Sequence, residues 1–232
     1  METLKDKVIY ITGGTKGIGL GIAREALKHG MKVAISARNV NAIDLSSIQS
    51  EDLLVLQADV RNAEDEEKAI ARITSKWGTL DVLVANAGVG HFAPIDQMTS
   101  EQWNATIDTN LTGVFNSVKA AIPSLKKSAG YIITIASLAG TNFFVNGGAY
   151  NASKFGLVGF SQAIMLDLRP YKIKVTTIMP GSVATFFNDH IPNEKDAWKI
   201  QPDDIGQMVM DLLKMNPRTL PSKIEVRPAQ TT

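Results

Sequence analysis

Cysteine is absent from the 232 residues. That excludes a disulfide framework, a thiolate metal site and a cysteine nucleophile. It leaves the compartment open, because a chain without thiols is stable in either redox environment. Excess charge is missing too. Lys and Arg number 24 against 23 Asp and Glu, a formal charge of +1, which is no electrostatic footprint for nucleic acid or an anionic membrane. No window approaches the ~18 uninterrupted apolar residues of a membrane span. The opening Met1-Glu2-Thr3-Leu4-Lys5-Asp6-Lys7 has no apolar core of a signal peptide. A soluble, cytoplasmic protein is expected. His29, His91 and His190 show no ligand spacing, so no metal is expected. The densest charge cluster, Glu64 to Lys68, reads as an acidic helix start with a solvated face.

What is present is alternation. Short β-branched runs take turns with longer amphipathic stretches along the whole chain, at a length where a single α/β unit is common. Val8 to Ile11, Val33 to Ser36, Leu53 to Leu56, Leu80 to Val84, Tyr131 to Ile135, Ile173 to Ile178 and Lys223 to Arg227 read as strands. Helices are expected over Gly17 to His29, Ala63 to Trp77, Ser100 to Lys127 (with Pro123 near its end or bending it), Ala149 to Leu168, and Ile205 to Lys214. Continuous apolar strands separated by helices imply a parallel sheet covered on both faces. Right-handed crossovers then give an α/β doubly wound fold, a Rossmann fold of about seven strands, with ligands at the C-terminal strand ends. No repeat or linker interrupts the pattern, so residues 1–232 are read as one domain.

The first strand runs into Thr12-Gly13-Gly14-Thr15-Lys16-Gly17-Ile18-Gly19. Glycines here let the backbone turn sharply, and the helix that follows offers free N–H groups and a positive dipole end to an anion. A Gly-rich turn alone is weak evidence; its place after the first strand of a βαβ unit strengthens it. The spacing Gly13, Gly17, Gly19, preceded by Thr12, resembles the turn of the short-chain dehydrogenase/reductase family, Thr-Gly-x-x-x-Gly-x-Gly. The resemblance implies that Thr12, Gly13, Thr15, Lys16, Gly17, Ile18 and Gly19 hold a nicotinamide dinucleotide.

The end of the second strand faces the adenosine ribose, where a carboxylate selects NAD and a cation selects the 2′-phosphate of NADP. Here the residues are Ser36-Ala37-Arg38-Asn39, with no carboxylate. Arg38 can form charge-assisted bonds to a phosphate, and Lys16 adds a second cation where family members preferring NADP often carry one. NADP(H) is therefore expected over NAD(H). Asp59-Val60 looks like the family's adenine-side pair, although Asp59 is equally suited to capping the next helix.

Tyr150 and Lys154 stand four apart at the start of a helix and share a face. A phenol of pKa near ~10 is a poor acid or base at neutral pH, and a neighbouring cation lowers its pKa. Such a pair is common on solvated helices; its surroundings single it out. Ser137 lies thirteen positions before Tyr150, the family's spacing, and Asn110 matches the Asn of its catalytic tetrad. Asn110 is an odd residue for a helix interior. The resemblance also implies cofactor contacts for Asn86-Ala87-Gly88 after the fourth strand, and for Pro180, Gly181, Val183 and Thr185 after the sixth. It implies hydride transfer between nicotinamide and a small carbonyl or alcohol. In that scheme Tyr150 donates the proton and Ser137 holds the oxygen. Lys154 tunes Tyr150 and binds the ribose, and Asn110 holds a water that relays protons.

The resemblance thins after Thr185. The substrate segment, about 186–202, is short, as is the stretch between Asn39 and Asp52. The end lacks the Asp-Gly-Gly of the family's acyl-carrier-protein reductases, so a homo-oligomer is expected as either tetramer or dimer, the dimer forming through the helices of Asn110 and Tyr150. Candidate pocket residues are His91, Phe92, Phe143, Phe144, Val145, Phe186 and Phe187; their apolar character favours a hydrophobic ketone, aldehyde or acyl thioester. Two rivals stand beside the reductase. A sugar-nucleotide epimerase would be longer and differently spaced in its turn. A dinucleotide-sensing regulatory protein would have lost Tyr or Lys of the pair.

Overall fold

In the computed structural model the described residues are 3–40 and 45–230. The short connection expected between Asn39 and Asp52 lies partly outside them. Seven strands, β1 Val8–Thr12, β2 Lys32–Ala37, β3 Leu53–Gln57, β4 Val82–Ala85, β5 Tyr131–Ile135, β6 Lys174–Pro180 and β7 Lys223–Val226, form one sheet in the order β3-β2-β1-β4-β5-β6-β7. Every pairing is parallel. The order reverses between β1 and β4, the switch point at which doubly wound sheets open a crevice.

Side chains of each strand alternate between two cores. Ile9, Ile11, Val33, Ile35, Val84 and Ile133 point to one face, where helices α1 (Gly17–Lys28) and α6 (Pro202–Lys214) cover them. Tyr10, Ala34, Leu83, Ile132 and Val175 point to the other, under α2 (Ala63–Trp77), α4 (Gly113–Ser128) and α5 (Gly148–Leu168). Each fully buried aliphatic side chain contributes roughly 1.5–3 kcal/mol by leaving water, so both faces must stay covered.

The long helix expected over Ser100 to Lys127 is interrupted. It comprises α3 (Ser100–Ile107), a π-helical turn over Asp108–Thr112, and α4. Pro123 sits inside α4, which runs on to Ser128. Strand β4 begins two residues later than expected, and β6 extends to Pro180, so Pro180 ends a strand instead of opening a loop.

The acidic cluster is also corrected. Glu64, Asp65 and Glu66 do start α2, whose N-cap is Asn62, but Glu66 is completely buried. The Tyr10 hydroxyl donates toward Glu66 Oε1 at 3.1 Å and lies 2.9 Å from Ser36 Oγ. Periodicity points this position inward, and the hydroxyls make the burial tolerable. Burial, the largest influence, pushes the Glu66 carboxyl up to about 7 from 4.5, with Ser117 and Tyr10 pulling it back. A carboxyl that binds its proton more tightly when folded stabilises the fold at low pH; that stability is lost as pH rises from about 4.5 through 7. Glu66→Gln is therefore expected to raise the melting temperature at pH 8, by up to about 3 kcal/mol in stability, and to change it little at pH 4.5. Thermal unfolding at both pH values checks this, and equal effects at both would refute it.

Candidate active site

The ends of β1 and β4 are stitched together at the crevice. Thr12 Oγ1 accepts from the backbone N–H groups of Asn86 and Ala87, both at 3.1 Å. Asn86 Nδ2 donates to the carbonyls of Thr12 at 2.9 Å and Gly13 at 3.1 Å. This fixes the glycine turn against the loop after β4. Gly17 takes φ +55°, and a side chain at Gly19 would meet the Gly13 carbonyl at 2.5 Å. The turn is thus compact enough for α1 to begin directly beneath it.

The N-terminus of α1 differs from those of α2 and α3. Helices α2 and α3 open with side-chain caps, Asn62 and Thr99, and α2 adds three acids in its first turn. By contrast, α1 has no side-chain cap and no acid there. Its orphan N–H groups and positive dipole end fit an anion such as a pyrophosphate. Thr185, from the loop after β6, lies across this turn, its Cγ2 placed 3.3 Å from where a Gly17 side chain would begin. Thr15 and Ile18 are half-buried, Ile18 packing on the core, and Lys16 is exposed. Gly181 N–H donates to the Val226 carbonyl at 2.8 Å, and Val183 bridges Ile200, so the loop carrying Thr185 is held from both sides.

At the adenosine end, Arg38 is exposed beyond β2. Asp59 does not cap α2. Its carboxylate accepts from Arg61 Nε at 3.0 Å and from the Arg61 backbone N–H at 3.0 Å. Arg61, foremost, and then Arg38 hold the Asp59 carboxyl below its ordinary value against the opposing effect of burial. Val60 is buried beside Gly113 and gives its carbonyl to Asn116 Nδ2 at 2.9 Å. Arg61 escaped the sequence reading; its signal was a cation two residues after the one acid placed at this end.

Ser137, Tyr150, Lys154 and Asn110 converge behind the β5 end. Ser137 lies close enough to Tyr150 to favour its phenolate, and Ser137 Oγ accepts from the Ala139 N–H at 3.1 Å. Lys154 Nζ donates to the Ile135 carbonyl at 3.0 Å and lies 5.7 Å from the centre of the Tyr150 ring. Desolvation pushes the Tyr150 phenol up, nearby Ser137 only partly opposing it. The lowering expected from Lys154 is not met here, because its ammonium is turned to Ile135. Burial brings Lys154 itself down to about 8.

Asn110 lies in the π-helical turn, a rare geometry often found at functional sites. Its Oδ1 accepts from Val89 N–H at 2.8 Å, and its Nδ2 donates to the Val89 carbonyl at 2.8 Å and to Ser153 Oγ at 3.0 Å. These bonds grip the loop after β4. Gly88 sits between the two groups: a side chain there would lie 3.3 Å from Asn110 Oδ1 and 3.7 Å from Lys154 Nζ.

Asn151 is a further residue the sequence reading missed. Its Nδ2 donates to the carbonyls of Ala139 at 2.8 Å and Asn142 at 2.7 Å, tying the loop after Ser137 to α5. A buried amide beside Tyr150 was the available sign. Of the pocket candidates, Phe92, Phe144 and Phe187 gather around the Tyr150 ring, with centroid distances to it of 5.5, 6.5 and 5.5 Å. His91 is half-buried, while Phe143, Val145 and Phe186 are exposed. His190 and His29 are engaged elsewhere, with Asp196 and Lys214 respectively.

Comparison with known proteins agrees with this geometry. A family model described as short chain dehydrogenase matches residues 7–196. Trans-4-hydroxycyclohexanecarboxylate dehydrogenase of Sinomonas cyclohexanicum is 35% identical over 194 residues, 79% of this chain and 75% of the relative. The structure of an alcohol dehydrogenase from the archaeon Thermococcus sibiricus, complexed with 5-hydroxy-NADP, superimposes with a TM-score of 0.90 at 28% identity, covering 98% of this chain and 99% of the other. That of a 3-ketoacyl-(acyl-carrier-protein) reductase from Brucella melitensis, complexed with NADH, gives 0.87 at 26% identity, covering 97% and 98%.

The buried lysine yields a stability test. Its folded pKa of about 8 lies below the ordinary 10.5, so burying the ammonium opposes folding at neutral pH, and the opposition fades as pH rises from 8 to 10.5. Lys154→Met should unfold at higher temperature than the parent at pH 7, by up to about 3 kcal/mol in stability, and the gap should close toward pH 10. A gap independent of pH in calorimetry would contradict the buried-charge account.

Proposed function

The chain belongs to the short chain dehydrogenase family, whose model matches residues 7–196, and from that membership we propose that it is an NADP(H)-dependent reductase of small carbonyl compounds. The observation that carries this reading is the placement of Ser137 beside Tyr150 at the β5 end, one helical turn from a buried Lys154. A regulatory protein that only sensed the dinucleotide would have no use for it.

The α1 terminus would hold a nicotinamide dinucleotide by its pyrophosphate, and that group would supply the hydride for the carbonyl carbon. Ser137 holds the carbonyl oxygen, and Tyr150 gives it a proton as negative charge develops there. The raised pKa of Tyr150 suits an acid that releases its proton only to an oxygen gaining charge. For Lys154 to offset the phenolate left behind, its ammonium must turn from the Ile135 carbonyl toward Tyr150. Asn110 acts as a positioning residue, keeping Val89 and the floor of the cleft fixed through its three bonds.

For the cofactor, the related structures were solved with 5-hydroxy-NADP in one case and NADH in the other, so the choice rests on this chain's own charges. Asp59 stands near Arg38, yet Arg61 neutralises it. The adenosine end thus keeps the positive charge of Arg38, with Lys16 exposed in the turn. That favours a 2′-phosphate. Self-association belongs to the same reading: Phe115 on α4 and Phe155 on α5 are 45% and 44% exposed, an apolar pair suited to a dimer whose mass light scattering would read.

Two substitutions test the proposal. Tyr150→Phe is expected to bind NADPH as the parent does while losing about 100-fold or more in turnover; near-parental turnover would remove Tyr150 as the proton donor. Arg38→Ala is expected to weaken NADPH binding about tenfold or more and leave NADH unchanged. An unaltered ratio of the two dissociation constants would rule Arg38 out as the selector.

A further inference from the structure

The walls of the cleft are built from rings. Phe92 lies 5.7 Å from Phe144 and 6.3 Å from Phe187, and all three surround Tyr150. The Phe187 ring, 36% exposed, packs against the glycine that precedes this wall. A side chain at Gly90 would meet Phe187 Cζ at 2.5 Å and Phe92 Cζ at 2.8 Å, so the absence of a side chain at Gly90 makes the room that Phe187 fills. Phe187 therefore occupies the space in front of the Tyr150 ring, on the side bounded by the loop after β4.

The chemistry around that space is one-sided. Three phenyl rings face the Tyr150 phenol, and Ser137 is the hydroxyl beside it. Lys154 Nζ is withdrawn to the Ile135 carbonyl. Beside the box, Phe143 and Val145 are each 86% exposed, so the approach past Phe144 is apolar as well. None of these wall and rim residues is a lysine or arginine. A ligand suited to such a site has one hydrogen-bonding oxygen and a compact apolar body that stacks on or edges against aromatic rings at 5–7 Å. A long polar thioester arm would have to cross phenyl faces with no donor to meet it.

We propose that the Phe187 ring holds the place of the substrate's own ring, and that the site takes alicyclic or aromatic ketones in preference to acyclic acyl thioesters. The inference rests on the reductase reading for its chemistry and on the aromatic box for its selectivity. The ketone becomes a secondary alcohol: its carbonyl carbon gains the hydride of the reduced nicotinamide, its oxygen gains the Tyr150 proton, and solvent returns a proton to Tyr150. The oxidised nicotinamide is the other product. Phe187 must withdraw for the ring to seat, so in the free protein it competes with the substrate for one space.

The test has two arms. With NADPH, kcat/KM for cyclohexanone and acetophenone should exceed that for an acyclic methyl ketone of equal carbon count, and for an acetoacetyl thioester, by about tenfold or more. Without any cofactor, ligand-observed NMR should show Phe187→Ala binding cyclohexanone about tenfold more tightly than the parent, because the competing ring is gone. Phe187→Leu should fall between, and the acyclic ketone should gain nothing. Equal gains for ring and chain, or a parental preference for the thioester, would overturn the ring assignment and leave the reductase reading standing. Ring binding by the variant with no carbonyl reduced by the parent would do the opposite.

Discussion

Four hydrogen bonds, three from the Asn86-Ala87 pair to Thr12 and one from Asn86 to Gly13, hold the switch point of the sheet, and the geometry of the site follows from them. They fix where β1 gives way to the glycine turn and where β4 gives way to its loop. That loop is then caught at Val89 by Asn110, and Asn110 is bonded in turn to Ser153, the neighbour of Lys154. A continuous chain of polar contacts thus runs from the first strand to the helix bearing the reactive phenol. Every link is buried or half-buried, so breaking one leaves a polar group without water or partner, at about 1–3 kcal/mol each.

The site is held against an electrostatic cost. Lys154 is buried and Tyr150 half-buried, and desolvation disfavours the charged form of each. Packing of the two cores on either side of the sheet outweighs that cost and keeps the ammonium where water would otherwise draw it out. Glu66 is a second instance, remote from the chemistry, in which hydroxyl partners accompany a carboxyl into the apolar layer under α2.

Strand and helix order was legible in the sequence because buried parallel strands read as unbroken apolar runs and covering helices as stripes, patterns that depend on short-range spacing alone. The glycine turn, Ser137, Asn110, Tyr150 and Lys154 were legible through fixed spacings around strand ends. Other features depend on which residues meet across the fold. Glu66 resembled its acidic neighbours on a solvated face, and only its packing against Tyr10 separates it from them. Arg61 was invisible as a partner of Asp59 because two residues along a chain say nothing of whether their side chains turn toward each other. The aromatic box was half legible: the phenylalanines were evident, whereas the choice of Phe92, Phe144 and Phe187 over Phe143 and Phe186 needed coordinates. The π-helical turn left no periodic trace, since five residues are too few to shift a helical pattern.

That turn has a further consequence. A π-helical segment holds one residue more than an α-helical path of the same span, so α3 and α4 are about 100° out of phase with a single uninterrupted helix. Losing one residue between Asp108 and Thr112 would swing either Asn110 or the entire apolar stripe of α4 away from its partner. The segment therefore tolerates exchange of side chains far better than any change of length. A loop graft or chimaera built across this helix has to carry all five residues as one block.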